Sequence, residues 1–311
     1  MVPLIIVLSC ILLIFIIFVF IAVYFYKMAF VKSGFSNIFD YEDKRPEWKD
    51  FYERMHQGVD WYEAAEKEDV YIKSYDGLGL HGVYLPCENS KRTIILFHGY
   101  RSIARNDFSG VFEYYHMKGL NILLVDQRAH GKSEGKIISF GVKERFDVKK
   151  WVEFIHRKYT DTEFLYVSGI SMGSSTVLMA SDIIGRVDGM IADCGYTSPK
   201  EQITFVAKRN YKFMPRFLIS FVGLLAKIFG KFDYRYSAEE SLSKTCIPVM
   251  FIHGLKDDFV PSYMTDKNYD ACSSKKEKVL VEDATHGMAL LYDWKKVTMA
   301  VEKFMKEIEN K

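Results

Sequence analysis

The chain has 311 residues, 49% of them hydrophobic and 26% charged, which suits a large packed core and excludes a disordered or collagen-like chain. Forty-two Lys and Arg against 40 Asp and Glu leave a net charge of +2, without the basic surplus of a duplex-binding protein, so no nucleic-acid partner is expected. Five scattered cysteines (Cys10, Cys87, Cys194, Cys246, Cys272) lack any CxxC spacing, which argues against a disulfide framework and against a structural zinc site.

Residues 3–26 carry no charge, and Ser9 is their only strongly polar side chain. As a helix they would be about 36 Å long, enough to cross a hydrocarbon core of about 30 Å. A cleaved signal peptide would have a shorter apolar stretch, a basic start and a small-residue cleavage site. None of these is present, so residues 1–32 are read as an uncleaved transmembrane anchor and its flank, with the lipid bilayer as partner. Tyr24, Phe25 and Tyr26 fall where an interfacial aromatic belt belongs. Lys27, Lys32, Lys44 and Arg45 follow the span, and the positive-inside rule then places the rest of the chain on the cytoplasmic side of a single-pass membrane protein.

Residues 33–68 form a connector with helical character, in which Trp48, Phe51, Tyr52, Met55, Val59 and Tyr62 recur near helical spacing. From residue 69 to 311 short β-rich runs alternate with amphipathic helices. Runs 69–74 and 80–85 flank Tyr75-Asp76-Gly77 as a hairpin, and 93–98, 121–126, 164–170, 187–193, 248–253 and 278–281 are further strands. Helices are predicted over 108–118, 142–159 and 290–309. Buried strands separated by helices imply a mostly parallel sheet covered on both faces. Between about 198 and 240 the alternation stops, and the almost wholly apolar stretch 217–229 is too short to span a bilayer. It reads either as a buried helix or as a cap over a substrate pocket. The cap is favoured because the interval separates two strands that carry site candidates. An apolar cap would suit an acyl chain or an aromatic group.

The chemistry-bearing residues cluster after strands. Gly169-Ile170-Ser171-Met172-Gly173 joins a predicted strand to a predicted helix, the setting in which a serine hydroxyl projects above a sheet as a nucleophile. A serine needs a base, and among eight histidines His286, in the loop between the last strand and the last helix, is best placed. His98 and His253 end strands and are read as structural hydrogen bonders beside the site; His130 lies in a loop also read as structural. A carboxylate must hold the imidazole, and Asp257 and Asp258 both follow His253-Gly254. An oxyanion would be met by the backbone amides of Met172 and, from the loop after 93–98, of Tyr100.

Taken together, Leu96-Phe97-His98-Gly99-Tyr100, the segment 126–135 (Asp-Gln-Arg-Ala-His-Gly-Lys-Ser-Glu-Gly), Gly169–Gly173, the segment 253–261 and Thr285-His286-Gly287 resemble the α/β-hydrolase superfamily from about residue 69 onward. The chain is similar to membrane-anchored bacterial members near the prolyl-oligopeptidase-like, serine aminopeptidase and cinnamoyl-esterase-like branches. The resemblance implies an eight-stranded, mostly parallel sheet with helices on both faces and a helical cap insertion. It also implies Asp257 as the acid, the order Ser171, Asp257, His286, a structural role for 126–135, and no cofactor. Cys194-Gly195 departs from a Ser-Pro-like turn, and Cys194 is read as a buried structural thiol. The expectation is a serine hydrolase acting on a small-molecule carboxylic ester. The same residues would serve an amidase or aminopeptidase, a thioesterase or an acyltransferase, and a non-catalytic lipid- or partner-binding module is the alternative of a different class.

Overall fold

A computed structural model describes residues 2–34, 48–211 and 213–310; Lys44, Arg45 and the first part of the 33–68 connector lie outside the described residues. In chain order the elements are α1 (Val2–Phe30), α2 (Lys49–Ala64), β1 (Glu68–Lys73), β2 (Gly79–Leu85), β3 (Arg92–Phe97), α3 (Ala104–Asp107), α4 (Phe112–Met117), β4 (Asn121–Val125), α5 (Glu144–Lys158), β5 (Phe164–Ile170) and α6 (Met172–Ala180). There follow β6 (Gly189–Asp193), α7 (Pro199–Asn210), α8 (Arg216–Leu225) with a π-helical turn (Ala226–Gly230), α9 (Ala238–Leu242), β7 (Val249–Gly254), α10 (Tyr263–Ala271), β8 (Lys276–Val281), α11 (Ala289–Tyr292) and α12 (Trp294–Glu309).

The eight strands form one sheet in the order β1-β2-β4-β3-β5-β6-β7-β8. β1 and β2 pair antiparallel, with Tyr71 opposite His81, and β2 pairs antiparallel with β4; the rest is parallel. The central strands β4, β6 and β7 are buried along their whole length, as strands covered on both faces must be. One face packs Trp151 of α5 and Val177 and Leu178 of α6. The other packs Tyr62 of α2, Phe112 and Tyr115 of α4, and Phe304 and Met305 of α12.

Two predicted helices differ from the structure. Segment 108–118 is helical only over α4, and residues 108–111 form a turn where α2 crosses so closely that a Cβ on Gly58 would lie 1.7 Å from the Ser109 carbonyl oxygen. Segment 290–309 divides at Asp293, whose side chain accepts from the Lys296 amide and starts α12 afresh. The 198–240 interval is helical throughout its regular parts and lies between β6 and β7. Its 217–229 stretch is amphipathic in context: Leu218, Ile219, Val222 and Leu225 are buried, whereas Phe217, Leu224, Ile228 and Phe229 are exposed.

α1 is long and apolar enough to cross a membrane, and most of its side chains are exposed. Its last turns nevertheless join the globular part. Ala22, Tyr26 and Phe30 are buried, Val31 forms a β-bridge with Ile137, and the Ile138 amide donates to the Phe30 carbonyl at 2.8 Å.

A buried ionic cluster ties the 126–135 loop to the sheet. The Arg128 guanidinium donates to both carboxylate oxygens of Asp147 at 2.6 and 2.7 Å, and to both of Asp76 at 3.0 Å. Removing one partner from such a cluster leaves uncompensated charge in a low-dielectric setting. Arg128→Met should therefore lower the stability of the detergent-solubilised full chain by about 3–5 kcal/mol at neutral pH, read as the shift of a denaturant midpoint. A loss within 1 kcal/mol would mean that Asp147 finds other compensation.

Candidate active site

The site begins with a turn that most residues cannot make. Between β5 and α6, Ser171 has φ 54° and ψ −114°, a strained conformation for a side chain with a Cβ. The flanking glycines are required by space: a Cβ on Gly173 would lie 1.9 Å from the Phe97 carbonyl oxygen, and one on Gly169 would lie 2.2 Å from the Gly173 carbonyl carbon. The turn leaves Ser171 only 6% exposed, at the C-terminal edge of the sheet, where the loops after β3, β7 and β8 converge.

His286, from the loop after β8, sets its Nε2 2.9 Å from Ser171 Oγ and its Nδ1 2.7 Å from Asp257 Oδ2. Asp257 follows β7; its side chain is wholly buried, and its Oδ1 accepts from the Phe259 and Val260 amides at 2.9 and 2.8 Å. Burial by itself would raise the Asp257 pKa. The charge of His286 and hydrogen bonds from His253 and His286 outweigh it and hold the carboxyl below its ordinary range. An ionised Asp257 requires a proton on Nδ1 of His286, which leaves the Nε2 lone pair facing the serine hydroxyl. The structure thus brings Ser171, Asp257 and His286 together. Asp258 points away, with an 82% exposed side chain near Arg209.

The two amides expected to meet an oxyanion also lie at this edge. Met172 opens α6, so its N–H has no place in the helix hydrogen-bond ladder. Tyr100 follows Gly99, where a Cβ would come within 3.5 Å of Ser171 Cβ, so the main chain passes the serine at contact distance. That loop is held by Asp107, which sequence reasoning left aside, and by His98 and His130, read there as structural. Asp107 accepts from the Gly99 amide at 2.6 Å and from the Ser102 hydroxyl at 2.5 Å. His98 Nε2 accepts from the Gln127 amide and His130 Nε2 from the Arg101 amide, both at 3.0 Å. Burial lowers the pKa of both rings, to about 3 for His130, which keeps these nitrogens free to accept. The 126–135 loop, expected to be structural, therefore positions the Tyr100 loop. His253 Nε2 donates to the Val260 carbonyl at 2.8 Å and lies 3.3 Å from Asp257, and its Nδ1 is 2.7 Å from the Thr265 hydroxyl.

Ser171 sits between two cavities. One, about 230 Å³, is almost wholly apolar and is walled by α7 and α8, with Tyr100 and Phe259 near the serine. The other, about 360 Å³, is more polar and is bounded by Trp48 and Met55 of the α2 region, Asp107, His286 and Met288. Phe25, Met28 and Ala29 of α1 line the apolar cavity, a contribution that hydropathy alone did not signal. The connector's aromatic spacing did hint at packing on the main domain, and Trp48 Nε1 donates to Thr285 beside His286.

Cys194 Sγ approaches the Asp257 and His286 donor atoms to within 4.8 Å. Burial pushes the thiol pKa well above its usual value, so it stays protonated, and the other two groups are already engaged with each other. Such a set is a poor one for a divalent cation.

The fold agrees with what comparison with known proteins finds. The family model described as serine aminopeptidase, S33, matches residues 88–236. Protein YqkD of Bacillus subtilis is 27% identical over 256 residues, spanning 80% of this chain and 83% of its own. Membrane protein YNL320W of Saccharomyces cerevisiae is 26% identical over 174 residues, covering 53% of this chain and 54% of its own. Among solved structures, the Pyrococcus furiosus esterase Pf2001 is similar with a TM-score of 0.63 at 25% identity, over 78% of this chain and 92% of that one. The chain belongs to the α/β-hydrolase superfamily.

Asp193, at the end of β6, is a buried carboxylate with one oxygen lacking a protein partner among the described residues. Burial pushes its pKa up to about 6; the charges of His253 and His286 only partly counter this, and Asp257 adds to it. Between about pH 4 and pH 6 the folded state keeps a proton that the unfolded state releases, so this group's contribution to stability falls as pH rises through that window. Wild type and Asp193→Asn should melt at similar temperatures near pH 4, diverge as pH rises to about 6 and differ by a constant amount above it, the variant then being more stable by up to about 3 kcal/mol. Calorimetric melts across that pH range check this, and a pH-independent difference would exclude ionisation of Asp193 as its cause.

Proposed function

We propose that this protein is a membrane-anchored serine hydrolase that cleaves carboxylic esters through an acyl-enzyme on Ser171. The observation that carries the reading is the line of hydrogen bonds from Asp257 through His286 to Ser171, ending where the two cavities meet. Ser171 Oγ attacks the acyl carbon while His286 Nε2 takes its proton, and the Met172 and Tyr100 amides receive the oxyanion. Collapse of the intermediate passes that proton to the leaving alcohol. Water, deprotonated by the same imidazole, then releases the acid and restores the serine. Asp257 keeps the ring in one tautomer and stabilises the imidazolium.

The cavities favour esters over aminoacyl substrates. Among the described residues, the apolar one has no carboxylate in its lining to meet an ammonium group, and its one charged lining residue is Arg101. In the other, Asp107 is already occupied by Gly99 and Ser102. The family model that matches residues 88–236 favours a second reading, an aminopeptidase or amidase using the same three residues.

Fluorophosphonate should label the folded protein on Ser171, and Ser171→Ala should abolish both labelling and ester turnover. Asp257→Asn should lower kcat by about 10⁴-fold, whereas Asp258→Asn should change it little. An unlabelled Ser171 in folded protein would overturn the enzymatic reading, and turnover of aminoacyl p-nitroanilides without p-nitrophenyl esters would reverse the two substrate readings.

The buried positions of Ala22, Tyr26 and Phe30 support retention of α1 as an anchor, since its removal would uncover the residues they pack on. Lys27 and Lys32 support a cytoplasmic catalytic portion. A C-terminal tag should resist protease added to intact cells and be digested after permeabilisation; digestion of intact cells would reverse the orientation.

A further inference from the structure

The anchor is more than a tether in this architecture, because it forms part of the apolar cavity that reaches Ser171. Phe25, Met28 and Ala29 of α1 face Val206 of α7 and Leu218 and Val222 of α8 across that cavity. Tyr211 spans the two sides, its ring 5.2 Å from Phe25 and its hydroxyl 3.9 Å from the Met28 sulfur.

The depth of the cap follows from its ring contacts. Phe18 meets Phe217 and Phe221 at 5.6 and 5.0 Å, Tyr26 meets Phe229 at 6.2 Å, and Phe30 meets Phe232 at 5.3 Å. α8 and the π-helical turn after it therefore run beside α1 in the same direction. Lys27 is the first charged side chain of the sequence, and Phe18 lies nine residues before it, about 13 Å toward the membrane along the helix. The start of α8 is at that level. With α1 across the bilayer, the cap is immersed in the interfacial layer and touches hydrocarbon.

The cap surface matches that position. Phe213 and Phe217 are 83% and 65% exposed, and Leu224, Ile228 and Phe229 are exposed beside them, continuing the exposed apolar surface of α1. From Gln202 to Phe232 there are six Lys and Arg and no Asp or Glu. Of these, Arg216, Lys227 and Lys231 are exposed among the apolar side chains. An amphipathic surface with cations flanking apolar residues binds at an anionic lipid interface, its long basic side chains reaching to the phosphates.

Resting on the esterase reading above, we infer that the substrate is a bilayer lipid ester whose acyl chain passes from the hydrocarbon layer, between α1 and the cap, into the cavity at Ser171. Extraction of a long chain through water costs about 0.8 kcal/mol for each CH₂ exposed, and passage along an apolar wall avoids that cost. The ester group then meets the Met172 and Tyr100 amides at the inner end, and the alcohol portion lies in the more polar cavity beside His286.

The test uses the full chain reconstituted in vesicles of phosphatidylcholine and phosphatidylglycerol. Its probes are 4-methylumbelliferyl oleate dissolved in the bilayer and 4-methylumbelliferyl acetate in water, which share one leaving group. Wild type should cleave both. Ala29→Trp, filling the cavity from the anchor, and Val206→Trp, filling it from the cap, should each lower the oleate-to-acetate rate ratio by at least about tenfold. Fluorophosphonate labelling of Ser171 reports folding of each variant. Independently of turnover, Phe217→Trp should add fluorescence that lipids brominated in mid-chain quench. Turnover of acetate without oleate, an unchanged ratio in both labelled variants, or a Trp at 217 that brominated lipid leaves unquenched would each overturn the inference. Loss of Ser171 labelling together with loss of both activities in wild type would instead remove the esterase reading on which it rests.

Discussion

The close approach of Gly173 to the Phe97 carbonyl is the constraint on which the rest of this site depends. Only a residue without a Cβ lets α6 start directly against the end of β3, and Ser171 takes its positive-φ turn at that junction. The turn sets the hydroxyl at the rim of the sheet with the first amides of α6 beneath it. The strain is held by burial: all nine residues of α6 are buried, packed against β5, β6 and α5, so no relaxed alternative is open without uncovering the core.

Around that turn the polar groups form two supports with different physics. The Asp257 side is charged and buried, and its carboxylate stays ionised because backbone amides and two histidines surround it. On the Tyr100 side the Asp107 carboxylate accepts from the Gly99 amide and the Ser102 hydroxyl, and His98 and His130 act as acceptors whose low basicity follows from burial. Arg128, fixed between Asp76 and Asp147, anchors the loop that carries Gln127 and His130, so a cluster remote from the serine governs where the main chain of residues 98–101 lies.

The cap and α1 bring a third physical regime to the same place. Apolar side chains of α8 turn inward to the cavity or outward away from the protein, and α1 shares both surfaces. A helix whose composition alone suits a bilayer is also a wall of the chamber in which the proposed chemistry occurs. On the proposed reading, membrane association and substrate selection become properties of one continuous apolar surface.

Much of this was legible in the order of residues because the signals are local. Alternating apolar runs and turns located all eight strands within a few residues, since a strand buried on both faces must be apolar along its length. The glycines around Ser171, the loop positions of Asp257 and His286, and the chain order of the three carried the site, because backbone turns at strand ends demand particular residue types. The late start of α4 after Ser109-Gly110 and the break at Asp293 were not legible: one lies where α2 crosses overhead and the other where a cap competes with helix continuation. Nor was the choice between Asp257 and Asp258 set by spacing, since adjacent aspartates differ only in which one the Phe259 and Val260 amides meet. The contribution of Phe25, Met28 and Ala29 to the cavity was beyond any one-dimensional reading. A run of apolar residues suits hydrocarbon on every side, and only packing against α7 and α8 decides which of its faces looks into the protein.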